Sequence, residues 1–582
     1  MQKKVFLPLW SLFFLLCVSH LSLRADNPAI TMKTLNSPKV LFVLGSNAGG
    51  NIQVDFGDGT LRSYTIKAND SVSLLGNTDI NQPIKVYADK TLLNYIRCSG
   101  FRLTSIDLSG CDSLKNIVLS HDSLPALDVS NQHGLVYLDC NDNMLTKLDI
   151  SKNPNLKVLS AYSNTNMQAV DLSNNIKLLS IDLHGNENMG TIDVTKQTNL
   201  IELSVDLTGL SSLDVTKNTE LRILNFSYNN ISRIDLSNNT KLQQLYLAKA
   251  PNMAAVESLD VTNMPDLRYL FFTAQGLDKI DLSKNPKLQS LYCSKNNLDT
   301  LNLSNNKELL EIICYRNRLN FNTLPVAADF PKLGEYVFNP QADIDIKKVQ
   351  IAVGGKLDIS AQTYNEATAT TYSVKLTNTK KPSEETTLEE GKDYKESNGV
   401  FTFLKPQKDS VYVSAINSHY AFLTLKTTKF MVLKPEDMNK PSLAFKFKTG
   451  KNIGNRISLT MTAFNHGDSV KVDFGDGVLK GFKLQTYIPQ YGSSTEIVGN
   501  LAGDTVKVYT YPGVQIKDLK IQHNNVRDIS FVNMYALHTL DLANNELASI
   551  DISQSSNLKS LVLHKNKLKT LDLKNNWFIT NL

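Results

Sequence analysis

Cysteine is scarce in this chain. Six cysteines spread over 582 residues cannot form the disulfide framework of a small secreted scaffold. A charge imbalance is also missing. Sixty-one Lys and Arg stand against 56 Asp and Glu, a net +5, and loss of Lys3, Lys4 and Arg24 with a leader would leave about +2. So small an excess gives no ground for nucleic acid as a partner. Long apolar runs are absent after the first residues, which argues against a transmembrane segment in the mature chain. Catalytic signatures are lacking too. The nine histidines form no His-Glu-x-x-His, and there is no Cys-x-x-Cys, no Gly-x-Ser-x-Gly and no phosphate-binding glycine loop. The expectation is a non-enzyme with no catalytic residues, no metal and no cofactor. What is present is an ordinary globular composition, 42% hydrophobic and 20% charged, with ample material for cores.

The chain opens with an export signal. Lys3 and Lys4 precede an apolar run over residues 5–18, and small residues follow up to Leu23-Arg24-Ala25. The run falls short of the ~20 residues a membrane-spanning helix needs. Residues 1–25 therefore read as a signal peptide, cleaved after Ser22 or Ala25. Leu16 stands where a lipid-attachment box has a small residue, which argues against lipidation of Cys17. The expected product is exported, and either secreted or held at the cell surface.

An internal repeat fixes the fold class. The block Leu-Asp-(Leu/Val/Ile)-(Ser/Thr) recurs with its acid at Asp107, Asp128, Asp149, Asp171, Asp193, Asp214, Asp235, Asp260 and Asp281, and Asn302 takes the tenth place. The spacing is 21 or 22 residues, with a single 25. Between these blocks run patterns such as Leu135-x-x-Leu138-x-Cys140-x-x-Asn143-x-Leu145, the leucine-rich repeat consensus. Alternating Leu-x-Leu points inward from a short strand, and one coil cannot bury that face alone. Stacked coils build a continuous core, and the Asn side chain can satisfy inward backbone groups. The expected fold is mainly β: a leucine-rich repeat solenoid in two arrays, residues 91–325 and 516–582, joined to β-sandwich modules.

The unit resembles the 21-residue repeats of internalin J-like surface proteins of Bacteroidota type. That resemblance implies an exported adhesion or host-contact protein. The cysteine column of that family is held here by Cys98, Cys140, Cys293 and Cys314, and elsewhere by Leu119, Ala161, Leu183, Val205, Phe226, Leu247 and Phe272. The column is therefore an apolar core position, and buried free thiols are expected there. Cys111 lies in a turn, either reactive or an inert surface thiol. Asp-(Ser/Thr)-aliphatic triplets at Ser71, Ser113, Ser123, Ser410, Ser469 and Thr505 resemble the Bacteroidota O-glycosylation sequence.

A second duplication frames the arrays. Val54-Asp55-Phe56-Gly57-Asp58-Gly59 recurs as Val472-Asp473-Phe474-Gly475-Asp476-Gly477, and each copy runs on into repeats. The motif resembles the hairpin of PKD-type modules. Asp-Gly suits a tight hairpin turn, and this reading is preferred to calcium binding by the carboxylates. The modules are placed at residues 26–90 and 436–515. Residues 335–435 match neither unit and alternate as strands do, resembling an Ig-like sandwich that serves as a spacer. Residues 380–385 read as an exposed loop.

Ligand contact is expected on the outward column. The residue between the last two inward positions of each strand reads Arg97, Val118, Asp139, Ser160, Asp182, Ser204, Asn225, Tyr246, Phe271, Tyr292 and Ile313. The last four are aromatic or apolar, with Tyr269 and Tyr315 as outward neighbours. If this strand lines a concave face, Tyr246, Tyr269, Phe271, Tyr292, Ile313 and Tyr315 form a binding patch for a protein or peptide, with glycan binding or a structural cell-envelope role as the alternatives. The competing expectation is that the following domain or a loop covers them. The Asp column is expected to accept backbone or Ser hydrogen bonds rather than bridge calcium. Trp577, Phe578 and Ile579 either fold as a short cap or mark a truncated product.

Overall fold

Most repeats contribute one strand of three residues, and successive paired strands run in parallel with no register shift. The computed structural model describes residues 27–582 except 36, 79–81, 251–252, 348–349, 364–369, 378–384, 421, 439, 465–467, 486–493, 512–513, 533 and 535. The expected signal peptide, Cys17 and most of the expected loop at 380–385 lie outside these residues. Glu385 instead opens a strand, Glu385–Thr387, paired with Thr370–Thr377. Among the described residues helix is limited to Ser360–Thr363 and three single 3-10 turns. None is long and apolar enough to cross a membrane. The contacts divide the chain into two units: one up to Asn229 together with Ile234–Asn239, the other Asn230–Arg233 with Thr240–Leu582.

In the first unit Asn116–Val118, Tyr137–Asp139, Val158–Ser160, Ser180–Asp182, Glu202–Ser204 and Ile223–Asn225 pair successively in parallel. Their central residues Ile117, Leu138, Leu159, Ile181, Leu203 and Leu224 are fully buried. The consensus Asn knits the coils together. The Asn143 amide donates to the carbonyls of Leu119 in the coil before and Cys140 in its own, and Asn164 repeats this with Cys140 and Ala161. Burying such an amide without partners would be costly, so each coil requires its predecessor. A second column, Asn153, Asn175 and Asn218, ties the outer turn in the same way, with Gln132 and Gln197 as longer substitutes.

The second unit continues the pattern. Gln244–Tyr246, Tyr269–Phe271, Ser290–Tyr292, Glu311–Ile313 and Glu335–Val337 form one parallel set, and Ile516–Lys520, Thr539–Asp541 and Ser560–Val562 form another. The terminal residues pack onto the second set. Thr580 and Asn581 donate to Lys559, and Ile579 joins the buried cluster. Between the arrays, residues 350–433 form sheets of two, three and four strands over a core that includes Val374, Phe401, Phe403 and Phe430. The expected strands at 349–353, 371–376, 400–404, 411–413 and 422–425 overlap the observed Gln350–Ala352, Thr370–Thr377, Val400–Phe403, Ser410–Asn417 and Thr424–Lys426, and residue 349 lies outside the described residues.

The two Asp-Phe-Gly-Asp-Gly segments build sheets of the same order. In the first unit the order is Leu61–Ile66, Gly50–Asp55, Ile84–Tyr87, Ile30–Thr34, Leu103–Asp107. In the second it is Lys480–Lys483, Ser469–Asp473, Thr505–Thr510, Ser442–Thr449, Val526–Phe531. The last strand of each lies inside the first coil of the following repeats, beyond residues 90 and 515. Module and array therefore share strands and core: one buried cluster joins Phe445, Val472 and Val508 to Leu519, Leu540 and Leu561. Within the motif the first Asp organises the turn. Asp55 Oδ1 accepts from Gly57 and Gly59 at 2.8 and 2.9 Å, and Asp473 does the same with Gly475 and Gly477. The Phe drops onto a glycine of another strand. A Cβ on Gly76 would stand 2.0 Å from the Phe56 ring, and one on Gly499 2.4 Å from the Phe474 ring.

All five described cysteines are buried free thiols. For Cys98, Cys140, Cys293 and Cys314 this is the expected core role. Cys111 corrects the sequence reading, which placed it at a surface turn. It is fully buried, its Sγ faces the Leu93 carbonyl at 3.8 Å, and burial pushes the thiol up to about 12. Such a thiol is neither reactive nor exposed.

Candidate recognition surface

The outward column of the second unit is set by strand register. Tyr246 pairs with Phe271, Phe271 with Tyr292, and Tyr292 with Ile313. Inward Leu245, Leu270 and Leu291 fix the strands, so the residues next to them must face outward. The rings stack on one another. Tyr246 and Phe271 have centroids 4.7 Å apart at 26°, and Phe271 and Tyr292 lie 4.2 Å apart at 18°. All three are half-buried. Two polar side chains hold the outer rings. The Tyr246 hydroxyl donates to Gln244 at 2.9 Å, and the Tyr292 hydroxyl donates to Glu311 at 3.1 Å. Burial raises both phenols, and for Tyr292 the Glu311 carboxylate adds to the rise.

The other expected members divide. Tyr269 sits in register with Gln244 and Ser290, one column aside, and is half-buried. Tyr315 lies beyond its strand, with the Arg316 guanidinium 6.0 Å from its ring. Ile313 does not belong to an exposed patch. It lies between Tyr292 and Val337 and is only 8% exposed. A separate aromatic group closes this end of the array. Tyr336 meets Phe338, Phe338 and Phe321 meet Tyr420, and the Tyr420 hydroxyl donates to the Leu324 carbonyl at 3.0 Å. These rings, with hydrogen bonds such as Asn322 to the Ala361 carbonyl at 2.9 Å, join the array to residues 350–433. Gln244 and Glu311 were not singled out from the sequence. Their signal is a polar residue two positions before, or one coil beyond, an outward tyrosine.

From Asp139 onward the same column in the first unit is polar, and several members are tied into hydrogen bonds. Asn141 donates to Asp139 at 2.5 Å, and Ser204 and Asn225 donate to Asp206 at 3.0 and 2.7 Å. His184 Nδ1 lies 2.7 Å from Asp182, and Tyr162 stacks on the imidazole at 4.3 Å. The Asp182 hydrogen bond raises the His184 pKa, while burial raises Asp139 and Asp206.

The Asp column occupies the outer turns. Oδ1 of each acid from Asp107 to Asp281, and of Asn302, accepts the backbone N–H two residues on at 2.8–3.0 Å. Hydrogen bonds from the neighbouring Ser or Thr hold Asp149, Asp193, Asp214 and Asp281 below the usual carboxylate range. Each carboxylate is engaged by its own turn. Among the described residues no cluster of three His, Cys, Asp or Glu is placed to hold a metal ion.

No protein-family model and no curated protein matches the chain. Among solved structures it is similar to the functional domain of InlJ from Listeria monocytogenes, with 20% identity over 58% of this chain and 81% of that one, TM-score 0.39. It is also similar to an internalin, InlF, from Listeria monocytogenes, with 20% identity over 43% and 82% of the two chains, TM-score 0.35. A third is the leucine-rich repeat ectodomain of the receptor kinase GASSHO1/SCHENGEN3 from Arabidopsis thaliana, with 19% identity over 41% and 34%, TM-score 0.33. The repeat architecture itself rests on the register and amide bonding described above.

Proposed function

We propose that this is an exported, non-catalytic leucine-rich repeat protein that binds a protein or peptide at the aromatic column of its second unit, in surface adhesion or host contact. The observation that carries the reading is the mutual stacking of Tyr246, Phe271 and Tyr292. A pyranose ring packs on the face of an aromatic side chain, and Phe271 has a neighbour on both faces. The rings offer edges instead. Edges are apolar with a partial positive rim, and they suit aliphatic side chains and backbone carbonyls. Gln244 and Glu311 hold two of the rings in place, so little side-chain entropy remains to be lost on binding. Export is supported by the leader pattern of residues 1–25. The duplicated Asp-Phe-Gly-Asp-Gly segments are taken as PKD-like modules, and the sheets of residues 350–433 as an Ig-like spacer.

The test is a binding screen of the mature chain against immobilised extracellular-matrix proteins, mucins and polysaccharides. A folded Tyr246/Phe271/Tyr292 triple-alanine variant is run in parallel. A protein ligand lost in the variant supports the reading. A polysaccharide lost in the same way replaces it with glycan binding, and equal binding by both forms removes the site.

A further inference from the structure

The second array carries a basic column that the reading above does not use. Lys517, His538 and Lys559 occupy one register position on three successive coils. Asp518 pairs with Thr539 and Thr539 with Ser560. The His538 N–H donates to the Lys517 carbonyl at 2.7 Å, and the Lys559 N–H donates to the His538 carbonyl at 2.8 Å. Neighbouring strands lie about 4.8 Å apart, so three basic side chains issue from one line at that rise. All three are half-buried. Phe464 lies against the column, edge-to-face with His538 at 5.2 Å and with Lys517 Nζ 6.0 Å from its centroid.

The nearby carboxylates are largely engaged elsewhere. The Asp518 carboxylate accepts the Thr462 hydroxyl at 2.5 Å. Asp541, one coil on, is held by the Gln522 amide and the Ala543 N–H. Among the described residues Lys559 has no ion-pair partner. Asp518, next to Lys517 on its strand, offsets part of the charge at His538 and Asp278 part of that at Lys559, while Arg318 adds a further positive charge that acts on both His538 and Lys559. Burial and these cations hold the His538 imidazole down at about 4 and lower Lys559 as well. Lys517 and Lys559 carry like charges along one line, and that repulsion opposes folding.

We propose that this column is a binding site for an acidic polysaccharide, a chain carrying sulfate or carboxylate groups. One isolated anion would engage one or two of the cations. A chain with repeated anionic groups can span the two lysines, with the neutral His538 imidazole between them as a hydrogen-bond donor. The adjacent register position carries Asp518, whose carboxylate accepts the Thr462 hydroxyl, and then Thr539, Ser560 and Asn581, whose hydroxyl and amide groups suit sugar hydroxyls. The site is separate from the aromatic column and can stand or fall without it.

The test is titration calorimetry of the full mature chain in about 0.15 M salt, where weak surface attraction is screened. The probes are a heparin-type sulfated oligosaccharide and an oligouronate, with neutral dextran and polyglutamate as comparisons. At least one acidic oligosaccharide is expected to bind, and dextran and polyglutamate are not. Lys517→Gln with Lys559→Gln is expected to weaken binding roughly tenfold or more, and Lys→Arg at both positions to preserve it. Independently, the bound oligosaccharide should raise the His538 titration midpoint, read by NMR of histidine-labelled protein. Failure of both acidic oligosaccharides to bind, undiminished binding by the folded double-Gln variant, or preference for polyglutamate would overturn the proposal.

Discussion

The outward column of the first unit and that of the second occupy the same strand position but have opposite chemistry. Asp139, Ser160, Asp182 and Ser204 stand where the second unit has Tyr246, Phe271 and Tyr292. The inward residues beside them are interchangeable, all Leu or Ile and all fully buried. Backbone register therefore places no demand on the outward residue. Fold is written in one set of positions and recognition in the next.

The sharpest way to break this comparison is to change an inward residue and its outward neighbour separately. Leu291→Ala should cost about 2–5 kcal/mol by opening a cavity in the shared core, read by urea unfolding. Tyr292→Ala should cost much less stability while reducing ligand binding. Equal losses would mean that the column is structural. The module glycines give a second contrast. Gly499→Ala would force a methyl into the Phe474 ring and should cost about 1–3 kcal/mol. Gly477→Ala meets nothing within 4 Å and bears only the strain of its positive φ of 77°, about 1 kcal/mol.

The coil-to-coil amides come next. Asn296 is 1% exposed and donates to Phe272, Cys293 and Ser294, so Asn296→Ala should cost about 1–3 kcal/mol. The smallest effects are those of pH, and they have opposite signs in two sets of carboxylates. Asp281 and its relatives have lowered values. Their contribution is present above the unfolded value of about 3.9 and is lost as pH falls through the folded one. Asp139 and Asp206 have raised values, so their ionised forms oppose folding at neutral pH and acidification relieves them. Asp139→Asn should therefore raise the Tm slightly at pH 7, and Asp281→Asn should lower it. His184, raised by Asp182, stabilises below about 6.5 and loses that contribution as pH rises through its folded value.

The repeats were legible because their signal is local: a 21-residue period and a Leu-x-Leu alternation that physics can read coil by coil. The outward aromatics were legible for the same reason, as a column defined by its inward neighbours. What the sequence hid was long-range. Pairing of Ile30–Thr34 with Leu103–Asp107 crosses some seventy residues, and it merges each module with the first coil of its array. Ile313 kept the outward pattern but lies beside Val337, in a last strand whose pairing no motif announces. Cys111 sits in a turn, and only the neighbouring coil shows that the turn is packed against Leu93. The clamps on Tyr246 and Tyr292 depend on side-chain reach, which residue spacing does not encode.

The most direct measurement replaces Tyr246, Phe271 and Tyr292 with serine, the residue found at Ser160 and Ser204 in the same column of the first unit. Affinity for the protein ligand identified in the screen and the Tm are then read on the same sample. The account predicts that binding is lost while the Tm moves by only a few degrees. Binding retained within about twofold, with the fold intact, would contradict it.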